Sequence, residues 1–231
     1  MRRPTRLQGP GGPVLFTPER ETVEVAPGAV HVPGWLSPEE QLNLVRRCRG
    51  WVQGSRSLQN RTLPGGGVMS VKSTVLGRTW AEPWHGQDHE ADASDPLPGD
   101  LLELGQRGVA SAYGQDSPEA ASFMPTTALI NFYDAHAHMG MHQDLDETGP
   151  DPIVSVSLGD TCVFRFGNSE HRGPPYHDVE LHSGDLFVFG RSSRWAFHGV
   201  PGVQTGSGDP GLGLRHGGRL NITVRSLRDR N

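Results

Sequence analysis

What most constrains this chain is the punctuation of its second half. Beyond Pro125 it breaks into short stretches at 126–133, 139–144, 153–158, 161–166, 178–182, 185–190, 195–199 and 219–227, separated by breaks rich in glycine, proline, serine and aspartate. Stretches this short do not complete an average helix, whereas a strand needs only a handful of residues. Val154, Val156 and Leu158 alternate with Ser155 and Ser157, the period of two expected of a half-buried strand. The 31 glycines and 19 prolines among 231 residues supply the turns such a chain needs. Eight strands following two helices predict a mainly β fold of the α+β kind, with a double-stranded β-helix, or jelly-roll, core.

The first half reads differently. Residues 1–26 mix arginine, glycine and proline with few apolar side chains and are expected to form a surface arm. Residues 29–32 are a strand candidate. Ser37-Pro38-Glu39-Glu40 has the form of a capping box with proline at the first helical position. Leu42, Val45, Cys48 and Val52 follow at helical spacing and predict a helix over 38–50. Between 53 and 99, Pro64-Gly65-Gly66-Gly67 is a breaker, 68–76 a strand candidate and the acidic run 88–95 a loop, together reading as a lid. Asp100 and Glu103 read as a second capping pair for a helix over 101–113, with Leu102, Gly105, Val109 and Ala112 on one face. The expected division is an arm (1–26), a helical support with the lid (27–125) and the barrel (126–231), with 26–231 as one domain.

The formal charge of -5 excludes a protein that holds nucleic acid by an overall basic surface, so any such contact falls to local arginine clusters. Arg46, Arg47 and Arg49, and Arg56 with Arg61, are the candidates for phosphate contact. Cys48 and Cys162 make neither a disulfide framework nor a CxxC metal site, which suits a reducing compartment. Behind Arg2, Arg3 and Arg6 stand residues 8–13 where a signal peptide would need an apolar run, and no stretch approaches a membrane span. A cytoplasmic, monomeric protein with no membrane contact is expected.

The chemistry concentrates in two places. In His142-Gln143-Asp144 the first and third residues share one face of a strand, and His198 follows at the end of a later one. Two imidazoles and one carboxylate on one octahedral face leave three positions open, the arrangement of non-haem iron that must bind a co-substrate and O2. In Arg219-Leu220-Asn221-Ile222-Thr223-Val224-Arg225, the residues Arg219, Asn221, Thr223 and Arg225 share one face. Two arginines turned into a barrel are costly unless anions neutralise them, and a dicarboxylate such as 2-oxoglutarate would meet both.

Asn131-Phe132-Tyr133, His142-Gln143-Asp144-Leu145-Asp146-Glu147, His198 and the R-x-N-x-T-x-R strand together resemble the AlkB family of oxidative nucleic-acid demethylases, most closely its bacterial DNA-repair branch. The similarity takes in Ser157-Leu158-Gly159, Val163-Phe164-Arg165-Phe166-Gly167, Ser183-Gly184-Asp185, Met69-Ser70 and Trp80, and so runs from about residue 15 to 227. It implies that His142, Asp144 and His198 hold Fe(II). It implies that Asn131, Tyr133, Arg219, Asn221 and Arg225 hold 2-oxoglutarate, with Arg219 at the distal carboxylate and Arg225 near the iron end. In the lid, Trp80 would sandwich a flipped base against His142, with Asp146 contacting that base and Met69 beside it. The implied reaction is oxidative demethylation of N-alkylated bases such as 1-methyladenine and 3-methylcytosine, a direct reversal of alkylation damage. It consumes O2 and 2-oxoglutarate, releases succinate, CO2 and formaldehyde, and needs no side-chain nucleophile. The implied partner is single-stranded or flipped-base DNA. A base methylated on a ring nitrogen is cationic, and an indole face with a nearby carboxylate favours it over its neutral parent.

Other readings stay open. The same chemistry could act on RNA, including transfer RNA, or hydroxylate a small molecule or protein, and a barrel could sense 2-oxoglutarate without turnover. His136 and His138 share strand parity with His142, but a cupin-type site would want a glutamate soon after an HxH, where Met141-His142-Gln143 stands. The acidic stretch 176–180 and the glycine-rich loop 202–218 depart from the family and bear on the DNA contact surface. Trp84 and His85 are candidates for a second aromatic lining the base pocket.

Overall fold

A computed structural model of the chain describes residues 20–63, 66–78, 96–145 and 149–227. The alternating second half pairs into two antiparallel sheets. The larger has the order β1 (Val23–Ala26), β2 (Ala29–Val32), β10 (Leu186–Phe189), β7 (Ile153–Gly159), β12 (Arg219–Arg225), β5 (Thr127–Tyr133), β4 (Val68–Gly77) and β3 (Gln59–Thr62). The smaller has the order β6 (Met139–His142), β11 (His198–Val203), β8 (Cys162–Phe166) and β9 (His177–Leu181). Consecutive strands crossing between two facing sheets make the jelly roll that the strand count anticipates.

The serines of β7 do not face solvent as their alternation suggests. All seven residues of β7 and all seven of β12 are buried, because these central strands are covered on both sides. Val154, Val156, Leu158, Leu220, Ile222 and Val224 enter the core under the helices. Ser155, Asn221, Thr223, Arg219 and Arg225 turn into the cavity between the sheets. Polar residues on a buried face require partners, and those partners define the site described below.

Two helices cover the larger sheet. In α1 (Pro38–Trp51) the Ser37 hydroxyl accepts from the Glu40 N–H while the Glu40 carboxylate accepts from the Ser37 N–H, which completes the expected capping box. Leu44, Val45 and Cys48 face the sheet, each burial of a large aliphatic side chain contributing about 1.5–3 kcal/mol. Helix α2 (Gly99–Tyr113) starts ahead of the capping pair read from sequence. Pro98 is its N-cap and makes no side-chain cap, so Asp100 lies inside the first turn, where it pairs with Arg47. Its buried face is centred on Leu101, Leu104 and Val109, not Leu102. A Cβ on Gly105 would lie 2.8 Å from Val224 Cγ1, and one on Gly108 2.7 Å from Val154 Cγ1. The two glycines let the helix backbone lie close to the sheet, offsetting a helix-propensity cost of about 1 kcal/mol each.

Some elements lie outside the sequence expectations. Strand β1 falls in the stretch read as an arm and pairs with β2, and β3 and the short helix α3 (Pro118–Ser122) carry no strong periodicity. The strand expected over 195–199 begins only at His198, after a tight turn at Arg191–Ser193, and the strand expected over 139–144 stops at His142. Buried Asp185 ties the early chain to the barrel, accepting from both terminal nitrogens of Arg20 at 2.6 and 2.8 Å, from His31 Nε2 at 2.9 Å, and from the N–H groups of Gly34 and His182. Among the described residues, no helix is long and apolar enough to cross a membrane.

Candidate active site

The site lies between the sheets. On the smaller sheet, β6 and β11 pair so that His142 and His198 stand opposite each other, their ring centroids 4.4 Å apart. Each ring is held the same way: His142 Nδ1 lies 3.0 Å from the Gly140 carbonyl and His198 Nδ1 3.0 Å from that of Ala196. A carbonyl can only accept, so each Nδ1 carries a hydrogen and each Nε2 is the nitrogen left to face the cavity. Both Nε2 atoms point at Asp144, 3.7 Å from its Oδ1 and 3.5 Å from its Oδ2 respectively. One ligand atom from each of the three residues lies within 4.8 Å of the others.

The electrostatics suit a cation. Asp144 is 9% exposed, and its Oδ2 makes no hydrogen bond although it lies 3.0 Å from a terminal nitrogen of Arg225. Burial alone would push its carboxyl up, but Arg225 and His198 outweigh burial and hold it well below the usual carboxylate range. His142 is pushed down to about 4, by burial first and by His198 second, so its ring is neutral near pH 7. A buried carboxylate faced by two imidazole Nε2 atoms, all within 4.8 Å of one another, is a donor set that an Fe(II) ion fits.

The facing wall comes from β5 and β12, whose register sets Arg219 beside Tyr133 and Asn221 beside Asn131. Arg219 is 1% exposed. Its Nη2 donates to the Ser157 hydroxyl at 2.9 Å and its guanidinium lies over the Tyr133 ring at 5.0 Å, but Nε and Nη1 have no hydrogen-bond partner. An ionised guanidinium with unsatisfied N–H groups inside a protein calls for an anion, and a carboxylate matches its fork geometry. Asn221 is otherwise occupied: its amide nitrogen donates to Ser155 and to the Val156 carbonyl, and its oxygen accepts from Thr223 and Asn131. It organises this wall, and Arg219 carries the unsatisfied donors. Tyr133 is fully covered, which pushes its phenol up to about 12, so the hydroxyl stays protonated and able to donate.

Met69 lies half-buried on β4, and Ser70 next to it exchanges hydrogen bonds with the main chain of His138 at 3.0 Å in each direction. His136 and His138 are exposed and stay apart from the three-residue cluster. Trp80, Trp84, His85 and Asp146 lie outside the described residues. Arg47 and Arg49, read as phosphate contacts, are held by Asp100 and by the Gly213 carbonyl. Arg61 donates to Ser73 at 2.9 Å. Of the acidic stretch 176–180, Asp178 pairs with Arg165, which also stacks on Tyr176. Sequence reasoning missed Ser155 as a cavity residue, Gln143 as a cross-link and Gly199 as a close-approach position. The serine alternation was the signal for the first. A period of two inside a strand covered on both sides points to a cavity as readily as to solvent.

The 2OG-Fe(II) oxygenase superfamily model matches residues 28–225. An alpha-ketoglutarate-dependent dioxygenase AlkB homolog of Caulobacter vibrioides is 36% identical over 214 residues, covering 88% of this chain and 90% of that protein. A DNA N(6)-methyladenine demethylase of Arabidopsis thaliana, ALKBH1D, is 29% identical over 89% of this chain, which spans only 52% of that protein's length. The solved structure of OsALKBH1 superposes with a TM-score of 0.66 at 30% identity, covering 86% of this chain and 98% of that one. The chain therefore belongs to the 2OG-Fe(II) oxygenase superfamily and, within it, to the AlkB family of dioxygenases that use Fe(II), 2-oxoglutarate and O2.

Proposed function

We propose that this dioxygenase removes alkyl groups from nucleobase nitrogens in DNA, acting as a monomer in the cytoplasm. One observation carries the reading. A single cavity in an AlkB-family chain has three convergent ligand atoms on one wall and a buried arginine with two unsatisfied nitrogens on the other. In this reading His142, Asp144 and His198 hold Fe(II), and Asn131, Tyr133, Arg219, Asn221 and Arg225 hold 2-oxoglutarate, Arg219 at the distal carboxylate. Fe(II) and 2-oxoglutarate, bound there with O2, would supply the oxidising power to hydroxylate an N-methyl carbon, whose hydroxymethyl product releases formaldehyde.

The protein's own work is positioning. The Gly140 and Ala196 carbonyls fix both imidazole tautomers, and Arg225 keeps Asp144 ionised. Phe164 and Phe189 pack against the His198 ring at 5.8 and 4.9 Å between centroids and keep water from that side. The family resemblance assigns Met69, Trp80, Asp146 and His142 to the base, and an aromatic face with a carboxylate would select a methylated, cationic ring. The name of the Arabidopsis relative, a demethylase of an adenine nitrogen, supports a methylated base as substrate.

The test is incubation with Fe(II), ascorbate, 2-oxoglutarate and matched DNA and RNA oligonucleotides containing 1-methyladenine or 3-methylcytosine. Formaldehyde and unmodified base should form, with the higher kcat/KM on DNA. A higher value on RNA would correct the polymer. No product on either, with succinate still forming from 2-oxoglutarate, would transfer the activity to a small-molecule or protein hydroxylase.

A further inference from the structure

We propose that Gln143, the middle residue between two of the proposed iron ligands, is a positioning residue that sets where Asp144 stands relative to His198. The assignment rests on the reading of His142, Asp144 and His198 as the metal site. Its basis is a gap in the main-chain support of that site. Strand β6 ends at His142, whose partner in the ladder is His198. Among the described residues, no main-chain hydrogen bond outside the strand ladders falls on 143–145. The backbone therefore fixes the two histidines against each other but leaves the carboxylate two residues past the last rung.

Gln143 fills that gap with its side chain. Its Nε2 donates to the carbonyl of Ser169 at 3.0 Å and to that of Trp195 at 2.6 Å. Both partners are carbonyl oxygens, so the NH2 end of the amide must face them, and both of its hydrogens are used. The two acceptors lie on segments already joined to each other, since Phe197 N–H donates to Asn168 and Gly167 N–H donates to Phe197, at 2.7 and 2.8 Å. Trp195 immediately precedes Ala196, whose carbonyl holds His198 Nδ1. One peptide unit thus separates the acceptor of the Gln143 amide from the group that orients the His198 ring, while the Gln143 backbone is bonded directly to both His142 and Asp144. Through this link the amide fixes the 3.5 Å separation between His198 Nε2 and Asp144 Oδ2.

A glutamine that served only the β8–β9 connection would affect folding and leave the metal site alone. Gln143→Met keeps the length and removes both donors, and Gln143→Glu keeps the shape but turns an acceptor toward two carbonyl oxygens. Removing a group that hydrogen-bonds a metal ligand lowers metal affinity about 10- to 100-fold, and Gln143 acts one link further out, so the low end of that range is the scale to expect. Both variants and the wild type are to be titrated with Co(II), with the visible d–d spectrum of the bound ion recorded and the metal-free Tm measured. The expected result is a Kd raised by about tenfold or more in both variants, an altered Co(II) spectrum, and a metal-free Tm within a few degrees of wild type. Wild-type affinity with an unchanged spectrum in either folded variant would overturn the proposal. His142→Ala separates the two levels: if it also binds Co(II) like the wild type, the metal assignment itself fails, and the role of Gln143 fails with it.

Discussion

Replacing Arg219 by methionine should separate stability from ligand affinity, because the native guanidinium is poorly satisfied without an anion. It makes one side-chain hydrogen bond, to Ser157, while Nε and Nη1 lie buried without partners. Methionine fills similar volume, loses a hydrogen bond to a charged group worth about 1.5–3 kcal/mol, and removes a buried ion whose desolvation costs several kcal/mol. The metal-free Tm should therefore stay level or rise. Binding should suffer in the other direction, since breaking a buried charge pair costs about 3–4 kcal/mol, or roughly 150- to 1,000-fold in Kd. With Mn(II) in place of iron to prevent turnover, 2-oxoglutarate at about 100 times its wild-type Kd adds about 2.7 kcal/mol of stability. For a chain of this length that is a Tm rise of about 5–11 °C. The same concentration leaves the variant with about 0.3 kcal/mol at most and a shift of about 1 °C or less. Thermal denaturation with and without 2-oxoglutarate reads both quantities. A full ligand-induced shift in Arg219→Met would refute the assignment of the distal carboxylate, and a metal-free Tm lowered by 10 °C or more would refute the argument about the unsatisfied ion.

Asp185→Asn should lower stability by about 3 kcal/mol, seen in urea at pH 7, because a buried carboxylate that accepts from Arg20, His31 and two N–H groups loses its charge. Those partners outweigh burial and hold the Asp185 carboxyl below its ordinary range. Its contribution is therefore complete above about pH 4 and lost as pH falls further, and the variant should show a flatter acid limb. Gly199→Ala would bring a Cβ to 2.7 Å from the Met139 carbonyl and 3.0 Å from Gly140, whose oxygen holds His142. A loss of about 1–3 kcal/mol in stability and a weaker Mn(II) affinity by calorimetry are expected. His142 sits at about 4 in the folded chain against about 6.5 unfolded, so the unfolded state binds more protons between those values. Metal-free stability should therefore decline as pH falls from about 6.5 toward 4, and the decline should be shallower in His142→Ala, moderated because 34% of the native side chain is exposed.

The parts of this molecule legible in the sequence are those where a local rule and the global fold agree. The Ser37 to Glu40 capping box forms as read, and helix α1 follows it. The R-x-N-x-T-x-R face turns inward because strand parity leaves it only two choices and the opposite face, Leu220, Ile222 and Val224, is claimed by the helices. Where the fold overrides a local rule, the reading slips. Asp100 and Glu103 have capping spacing, but Gly99 is already helical and Asp100 is drawn to Arg47 on the neighbouring helix. Strand parity in His142-Gln143-Asp144 anticipates that the first and third side chains converge, but for an incomplete reason. The strand ends at His142, and beyond it the Gln143 side chain, not the ladder, ties this segment to the Ser169 and Trp195 carbonyls.

The charges of the cavity argue that its two proposed ligands bind interdependently. Imidazoles are neutral when they ligate a metal, so Arg219, Arg225 and Asp144 leave the wall with a net charge of one positive unit. A divalent metal entering alone must overcome two guanidinium groups, of which Arg225 already lies 3.0 Å from the carboxylate oxygen the metal would share. A dicarboxylate entering alone finds those same cations only partly neutralised by Asp144. The dicarboxylate removes the repulsion that opposes the metal, the metal adds to the attraction that draws the dicarboxylate, and the coupling is reciprocal by thermodynamic necessity. The factor by which Mn(II) tightens 2-oxoglutarate must equal the factor by which 2-oxoglutarate tightens Mn(II). The buried Arg225–Asp144 contact keeps the proposed metal ligand ionised and in place until that exchange of partners.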